Sequence, residues 1–249
     1  NVSESQAGVN TDLFIEILKI KPEKWKNVIH QGRLDFTSGE DITQVLKTQV
    51  NNSCLWRLQY FGENSIEEAA QAQVIGNFVG SPFYLEMRTN QQLGYIVWGG
   101  AASAEKSSYF YFIIQSGNHP AEYLANQAEQ FSLTLPDSLR ELPEEEFLVI
   151  KNSVIEKIKE KPTSIEEQAG KYYTMAFDYN GNFNRNEELI QAVENLTREQ
   201  SVEVLAKVLA SETLERATVL LYAKEHEVGK NVKSSFDSIN QWKHTRKYQ

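Results

Sequence analysis

The sequence predicts an α+β fold, a mainly antiparallel sheet with helices packed on one face, and three observations carry that expectation. Apolar and aromatic runs of strand length lie early in the chain. A block of helical patterns opened by prolines and serines fills the second half, and a late apolar run, Arg216 to Lys224, must return to the sheet. A chain of 249 residues can bury a continuous core, and 41% hydrophobic with 24% charged residues are globular values that exclude a disordered or fibrous class.

Thr11 to Ile20 places Leu13, Ile17 and Ile20 at helical spacing behind a Thr-Asp cap, and Pro22 opens a second short helical stretch through Trp25 and Val28. Residues 31 to 42 contain two glycines and mixed polarity, which suits a linker. The expected division is therefore residues 1–40 as the end of a preceding domain plus linker, and 41–249 as the α+β domain. A start at Asn1, without methionine or a charged-then-apolar signal region, predicts that the true N-terminus is missing or processed.

Ile42 to Val50 and Cys54 to Phe61 read as strands, and the turn-forming Asn51-Asn52-Ser53 between them predicts an antiparallel pair. Ser65 is the expected N-cap of a helix whose Ile66, Ala70, Val74 and Phe78 form an apolar stripe, with Glu67 and Glu68 in its first turn. Gly80-Ser81-Pro82 predicts a break, followed by a short second helix to about Thr89. Leu93 to Trp98 and Tyr109 to Ile114 are expected strands joined by a loop from Gly99 to Ser108, with Gly99-Gly100 as a turn. Gly94 is isolated at a strand start, where glycine permits a bend or a close backbone approach.

Pro120 opens a helix with Leu124, Ala128, Phe131 and Leu135 on its apolar face, and Pro143 opens another running to about Glu160. Ser164 caps a third, with Ile165, Ala169, Tyr172, Tyr173 and Ala176 expected on its buried side. Two more helices are expected over Arg185 to Glu194 and Thr197 to Leu209.

Charge and composition narrow the function. Lys plus Arg (25) against Asp plus Glu (34) leaves a net charge of −9, against the clustered basic face of a nucleic-acid binder. The basic residues near the end, Lys230, Lys233, Lys243, Arg246 and Lys247, read as a solvated tail. No apolar run reaches the roughly 20 residues that cross a bilayer, so no membrane partner is expected. A single cysteine, Cys54, excludes an intrachain disulfide and a thiolate metal cluster, and reads as a small buried hydrophobe. The four histidines, His30, His119, His226 and His244, are too far apart for two to share a helical turn, so no metal ligand set is read from this chain. Glu122, three residues after His119, is expected to favour the start of its helix, and Glu225-His226-Glu227 to be exposed. No G-x-S-x-G elbow and no phosphate-binding glycine loop occurs.

What remains is Met87-Arg-Thr-Asn-Gln-Gln-Leu-Gly-Tyr-Ile-Val-Trp98, a helix end turning into a strand with Arg88 and Tyr95 held at the turn. A guanidinium offers five donors in a fixed fork for peptide carbonyls, and a phenol can donate to a developing oxyanion. Spacing alone favours Tyr95 as a core aromatic sharing a strand face with Leu93 and Val97, and Arg88 as a complement to a helix C-terminus.

This segment, with Ser81-Pro-Phe-Tyr-Leu85 before it and Phe112-Ile-Ile-Gln-Ser116 after it, resembles the C-terminal half of the insulysin/pitrilysin-like zinc metallopeptidases of the insulinase (M16) family. Arg88, Thr89, Gln92, Leu93, Gly94, Tyr95, Ile96 and Val97 match in place. The match is dense from Ser81 to Ser116 and follows the order of elements from about 50 to 225. The resemblance implies a sheet with helices packed against it, in a half that binds no metal and reaches the active site of the other half. It implies that Arg88 and Tyr95 bind substrate and that Tyr95 assists catalysis by steadying the oxyanion. No cofactor is then expected in this segment, with zinc in the missing N-terminal half. The implied partners are a peptide or unfolded polypeptide substrate and that N-terminal half. The alternative is a degenerate member serving as a scaffold or peptide-binding subunit without peptidase activity. Cytoplasm and periplasm both remain open as the compartment.

Overall fold

The computed structural model describes residues 3–19, 39–63, 65–104 and 107–246. The chain divides into two units, Asn1–Gly32 and Arg33–Gln249. In the first, α1 spans Glu4–Leu18 and is capped by Ser3, whose side chain accepts from the Gln6 amide. The helix thus starts a full two turns before the expected Thr-Asp cap, because Thr11 donates its hydroxyl to the Ala7 carbonyl inside the helix instead of capping it. The second expected helical stretch, through Trp25 and Val28, and most of the linker lie outside the described residues.

The second unit is a five-stranded sheet in the order β1-β5-β2-β4-β3, formed by Asp41–Lys47, Arg216–Tyr222, Ser53–Glu63, Ser107–Ser116 and Ile96–Ala104. All pairs are antiparallel except β1 with β5. Among the described residues seven helices accompany it: α2 (Ile66–Tyr84), α3 (Ala121–Glu141), α4 (Glu144–Lys159), α5 (Ile165–Tyr173), α6 (Arg185–Asn195), α7 (Arg198–Leu209) and α8 (Ile239–His244). The α+β expectation holds, with helices against one face. Along β2 the side chains of Ser53, Leu55, Arg57, Gln59 and Phe61 point to that face, in the two-residue period of a strand. Leu55, Phe83, Phe112, Ile114, Leu124 and Phe147 are the closed centre of the core. There Phe83 lies with its ring centroid 4.8 Å from that of Phe112 and 5.3 Å from that of Phe131.

The expected hairpin between the first two strands is not formed. β5 inserts between β1 and β2, which keep their opposite directions but sit two strand positions apart. Residues 48–52 bridge the gap by bonding to the intruder: the Thr48 amide donates to the Tyr222 carbonyl and the Lys224 amide to the Val50 carbonyl. The turn-forming composition was real, but a strand contributed from 170 residues away took the pairing edge.

Ser65 caps α2 as expected, accepting from the Glu68 amide at 3.2 Å. The break at Gly80-Ser81-Pro82 does not occur, and α2 runs through Pro82 to Tyr84. A helix-interior proline forfeits about 3 kcal/mol, whereas Phe78, Val79, Phe83 and Met87 are all buried on either side of it and hold the helix on the sheet. The glycines of this contact are there for proximity. A Cβ on Gly76 would fall 2.4 Å from that of Ala101, and one on Gly99 would fall 2.7 Å from the Phe83 ring. Gly99 and Gly100 are therefore not a turn: β3 continues to Ala104, and β4 starts at Ser107.

The second half follows its predicted starts. Pro120 and Pro143 precede α3 and α4, Ser164 caps α5, and Thr197 forms a capping box with Gln200 at α7. The face of α5 is a correction: none of its residues is buried, and Ile165, Tyr172 and Tyr173 are exposed. Its amphipathic side stays uncovered among the described residues, and the buried side chain in this region is Met175, in the wider turn Thr174–Asp178. The basic tail is corrected in part. Lys230, Lys233 and Lys243 are exposed, but Arg246 donates to Glu40 at 2.6 Å and lies 4.6 Å over the Trp242 ring. Ser234 and Ser235 bond along β1, with the Ser235 amide 2.7 Å from the Thr43 carbonyl, and so cover the outer edge of the sheet. Lys247 lies outside the described residues.

A buried charge network ties four elements together, β1, β2, β5 and α3. Arg57 is 5% exposed and donates to Glu129 at 2.7 Å, and Glu129 also accepts from Arg216 at 2.5 Å, which pairs in turn with Asp41. Burial first, then the neighbouring Arg216 charge, pushes the Arg57 pKa down to about 10, against the pull of Glu129 and Asp41. Removing the carboxylate leaves two guanidinium groups facing each other under the helices. Glu129→Ala is expected to destabilise the fold by about 3 kcal/mol, the low end for breaking a buried pair because the carboxylate keeps some access to water. Urea unfolding of the variant measures it, and a loss below 1 kcal/mol would show that Asp41 alone suffices.

Candidate functional site

The site is built where α2 ends. Its last turn brings Tyr84, and the chain then widens into a π-helical turn over Leu85–Asn90. Such turns often mark functional positions. Met87 and Leu93 are sealed in the core and anchor both sides of the segment, and the Leu93 amide closes it by donating to the Met87 carbonyl at 2.9 Å. Gln92 takes a left-handed conformation, φ 54°, which reverses the chain. The Glu86 carboxylate accepts from Asn90 at 2.7 Å and Gln91 at 2.9 Å, bonds that lower its pKa. These bonds brace the turn from outside.

Gly94 follows, and its lack of a side chain is required: a Cβ there would sit 1.8 Å from the Gln115 carbonyl oxygen. The close backbone approach expected from the sequence is thus present, and it swings the next residue out. Tyr95 is 81% exposed, and β3 begins only at Ile96. The reading of Tyr95 as a core aromatic on a strand is excluded. Arg88 is half-buried behind it, donates a guanidinium N–H to the Tyr95 carbonyl, and lies 4.4 Å from the Tyr95 ring centroid and 5.5 Å from that of Tyr84. The two residues singled out in the sequence are therefore in direct contact, the cation stacked on the phenol ring. Tyr84, four residues before Arg88 and 43% exposed, completes the cluster. The i, i+4 spacing of the two lies within the short helix expected to about Thr89, but the sequence reading did not single out Tyr84.

The other sequence candidates settle into structural roles. Glu122 accepts from the Tyr222 hydroxyl at 2.9 Å and the Gly229 amide at 3.1 Å, and the His119 ring stacks on Tyr123 at 4.7 Å; burial first, then the bond to Glu122, raises the Tyr222 pKa. His226 is not exposed like its neighbours Glu225 and Glu227. It is half-buried, with Nδ1 2.8 Å from the hydroxyl of the sealed Ser53. Cys54 is half-buried, and burial pushes its thiol pKa up, the opposite of what a thiolate nucleophile needs. His30 lies outside the described residues. Among the described residues, no group of three or more His, Cys, Asp or Glu side chains could hold a metal ion, so they do not fit a zinc site. Among them too, no helix is long and apolar enough to cross a membrane.

Comparison with known proteins agrees with this architecture. Residues 74–173 match a family described as PQQ synthase PqqF-like, C-terminal lobe domain 4. The chain is 26% identical over 218 residues to human insulin-degrading enzyme, covering 87% of this chain and 21% of that protein. It is 28% identical over 137 residues to protease 3 of Salmonella typhi, covering 55% and 14%. The chain thus spans about a fifth or less of the length of the curated relatives it matches. Among solved structures, pitrilysin superposes on the whole chain and 27% of its own length with a TM-score of 0.75 at 19% identity. A structure titled as a peptidase M16 inactive domain from Pseudomonas fluorescens aligns with 83% of the chain at a TM-score of 0.59 and 15% identity. In its Met87–Trp98 turn, its sheet order and these similarities, the chain resembles an insulinase-like (M16) C-terminal segment.

Proposed function

We propose that this chain is the non-catalytic C-terminal portion of a zinc metalloendopeptidase, which binds a peptide substrate and completes the active site of a zinc-bearing N-terminal half. Residues 41–249 are the contributing domain in this reading, and residues 1–40 are the end of a preceding domain with its linker. Zinc belongs to the other half, so this segment alone does not cleave. The observation that carries the reading is the phenol of Tyr95, 81% exposed yet held by its own backbone at Gly94 and by Arg88. An exposed aromatic on a mobile loop would lose rotamer freedom on binding; this one is oriented beforehand, which is what a donor aimed at a developing charge requires.

Tyr95 and Arg88 have separate tasks. The Tyr95 hydroxyl donates to the carbonyl oxygen of the bound peptide as negative charge builds there. Arg88 spends one donor on the Tyr95 carbonyl and presents the rest of its fork to substrate backbone oxygens. Arg88→Ala in the complete enzyme is expected to raise KM and lower kcat together, because it removes a substrate contact and releases the Tyr95 ring. Arg88→Lys restores charge without the fork and should recover only a small part. Steady-state kinetics on a fluorogenic peptide distinguish the two, and full activity of the lysine variant would show that charge alone matters.

A second reading is favoured by the neighbour described as an inactive domain: a scaffold or peptide-binding subunit without peptidase activity. The coding sequence upstream decides between them. An H-x-x-E-H helix there supports the peptidase, and an upstream domain lacking it supports the scaffold.

A further inference from the structure

The turn that presents Arg88 contains a residue in a conformation its own side chain disfavours. Gln92 sits at φ 54°, where the Cβ of an L-residue crowds the backbone, and glutamine lacks the short polar side chain that lets asparagine tolerate the region. Such strain persists only where the surroundings impose it. On the strand side, Leu93 is sealed in the core and its amide donates to the Met87 carbonyl at 2.9 Å. On the helix side, the two residues before Gln92 are tied back to Glu86. The Gln91 amide donates to the Glu86 carbonyl at 2.9 Å, the Asn90 side chain to one carboxylate oxygen at 2.7 Å, and the Gln91 side chain to the other at 2.9 Å. The last two bonds use both oxygens of the carboxylate, and a residue without a side-chain acceptor could make neither. They also hold the Glu86 carboxyl below the usual carboxylate range, so it stays charged and accepting near neutral pH.

Glu86 lies two residues before Arg88, and the contact from the Arg88 guanidinium to the Tyr95 carbonyl and ring spans Gln92. If Gln92 relaxes, Tyr95 is carried away from Arg88. We infer that Glu86 is a positioning residue of the Arg88–Tyr95 site: its carboxylate gathers Asn90 and Gln91, keeps Gln92 in the left-handed conformation, and so fixes the guanidinium against the tyrosine before a peptide arrives. Both carboxylate oxygens are spent on the turn, so Glu86 acts through Gln92 and not on the reacting atoms. The inference rests on the roles of Arg88 and Tyr95 proposed above, and adds to them the residue that sets their geometry.

The test has two arms. On the full chain, amide hydrogen exchange at Gln91 and Leu93, whose bonds close the turn, should quicken about tenfold in Glu86→Ala while the urea midpoint stays near that of the parent. In the complete enzyme, Glu86→Ala should lower kcat/KM about tenfold, with the loss in kcat more than in KM, because a misplaced donor costs most where charge develops. Glu86→Gln keeps one acceptor oxygen and should lose only about threefold. Glycine reaches a positive φ without strain, so the effect of Glu86→Ala measured on top of Gln92→Gly should shrink to about threefold or less. A residue that merely stabilised the fold would move the urea midpoint and leave kcat, and this dependence on Gln92, untouched. Unchanged exchange in Glu86→Ala would overturn the inference. Quickened exchange with kcat/KM unchanged, in an enzyme that Tyr95→Phe impairs, would also overturn it, as would an effect undiminished on top of Gln92→Gly. Silence of Tyr95→Phe itself would remove the catalytic role of Tyr95 and this inference with it, whereas the other failures leave that role in place.

Discussion

Tyr95→Phe in the complete peptidase is expected to lower kcat/KM by about 10² to 10³-fold while leaving the fold untouched. Only one hydroxyl is removed. The ring stays, with its contact to Arg88 at 4.4 Å, and the side chain is 81% exposed, so no buried bond is broken. Thermal stability should stay within about 0.5 kcal/mol of the parent, as for other surface substitutions. The rate loss corresponds to about 3 to 4 kcal/mol, the range for deleting one donor to an oxyanion. The effect should fall on kcat, since the interaction strengthens only as the carbonyl oxygen becomes charged. An unchanged kcat/KM in Tyr95→Phe would remove the oxyanion role, and a change confined to KM would reduce the tyrosine to a substrate contact.

Gly94→Ala should produce the largest loss of stability from a single methyl group, about 3 kcal/mol, at the upper end for overpacking. The new Cβ would meet the Gln115 carbonyl oxygen at 1.8 Å and its carbonyl carbon at 2.8 Å, far inside the roughly 3.5 Å optimum. Both partners are backbone, so no rotamer change relieves the contact, and the entry to β3 must move away from the end of β4. Tyr95 moves with it, and activity of the complete enzyme should fall along with stability. Gly170 is the internal control. It lies inside α5 with nothing within 4 Å of its absent Cβ, so Gly170→Ala should stabilise by about 0.5 to 1 kcal/mol. Urea unfolding of the two variants side by side tests the contrast, and equal effects would show that glycine at 94 is dispensable.

The candidate site was legible in part. Arg88, Gly94 and Tyr95 stood out because a charged residue, a lone glycine and an aromatic cluster at a helix-to-strand handover, and because the segment matches a family pattern. Their contact was not legible. The guanidinium reaches the Tyr95 carbonyl only because the turn over Leu85–Asn90 widens and Gln92 reverses the chain with a positive φ. Residue types do not announce either event, since glutamine has no preference for that conformation.

Capping and period account for what the sequence by itself determined: the starts of α2, α3, α4, α5 and α7, each set by a serine, threonine or proline, and the α+β class that follows from their order with the strands. These are local properties, decided within one or two turns of chain. Tertiary structure alone decided which edge β5 would take, whether Pro82 would break a helix, and whether the apolar side of α5 would be covered. Each depends on what else packs there. β5 separated two strands that seemed a hairpin, the buried flanks of Pro82 outweighed its missing hydrogen bond, and α5 kept Ile165, Tyr172 and Tyr173 exposed because no described element faces them.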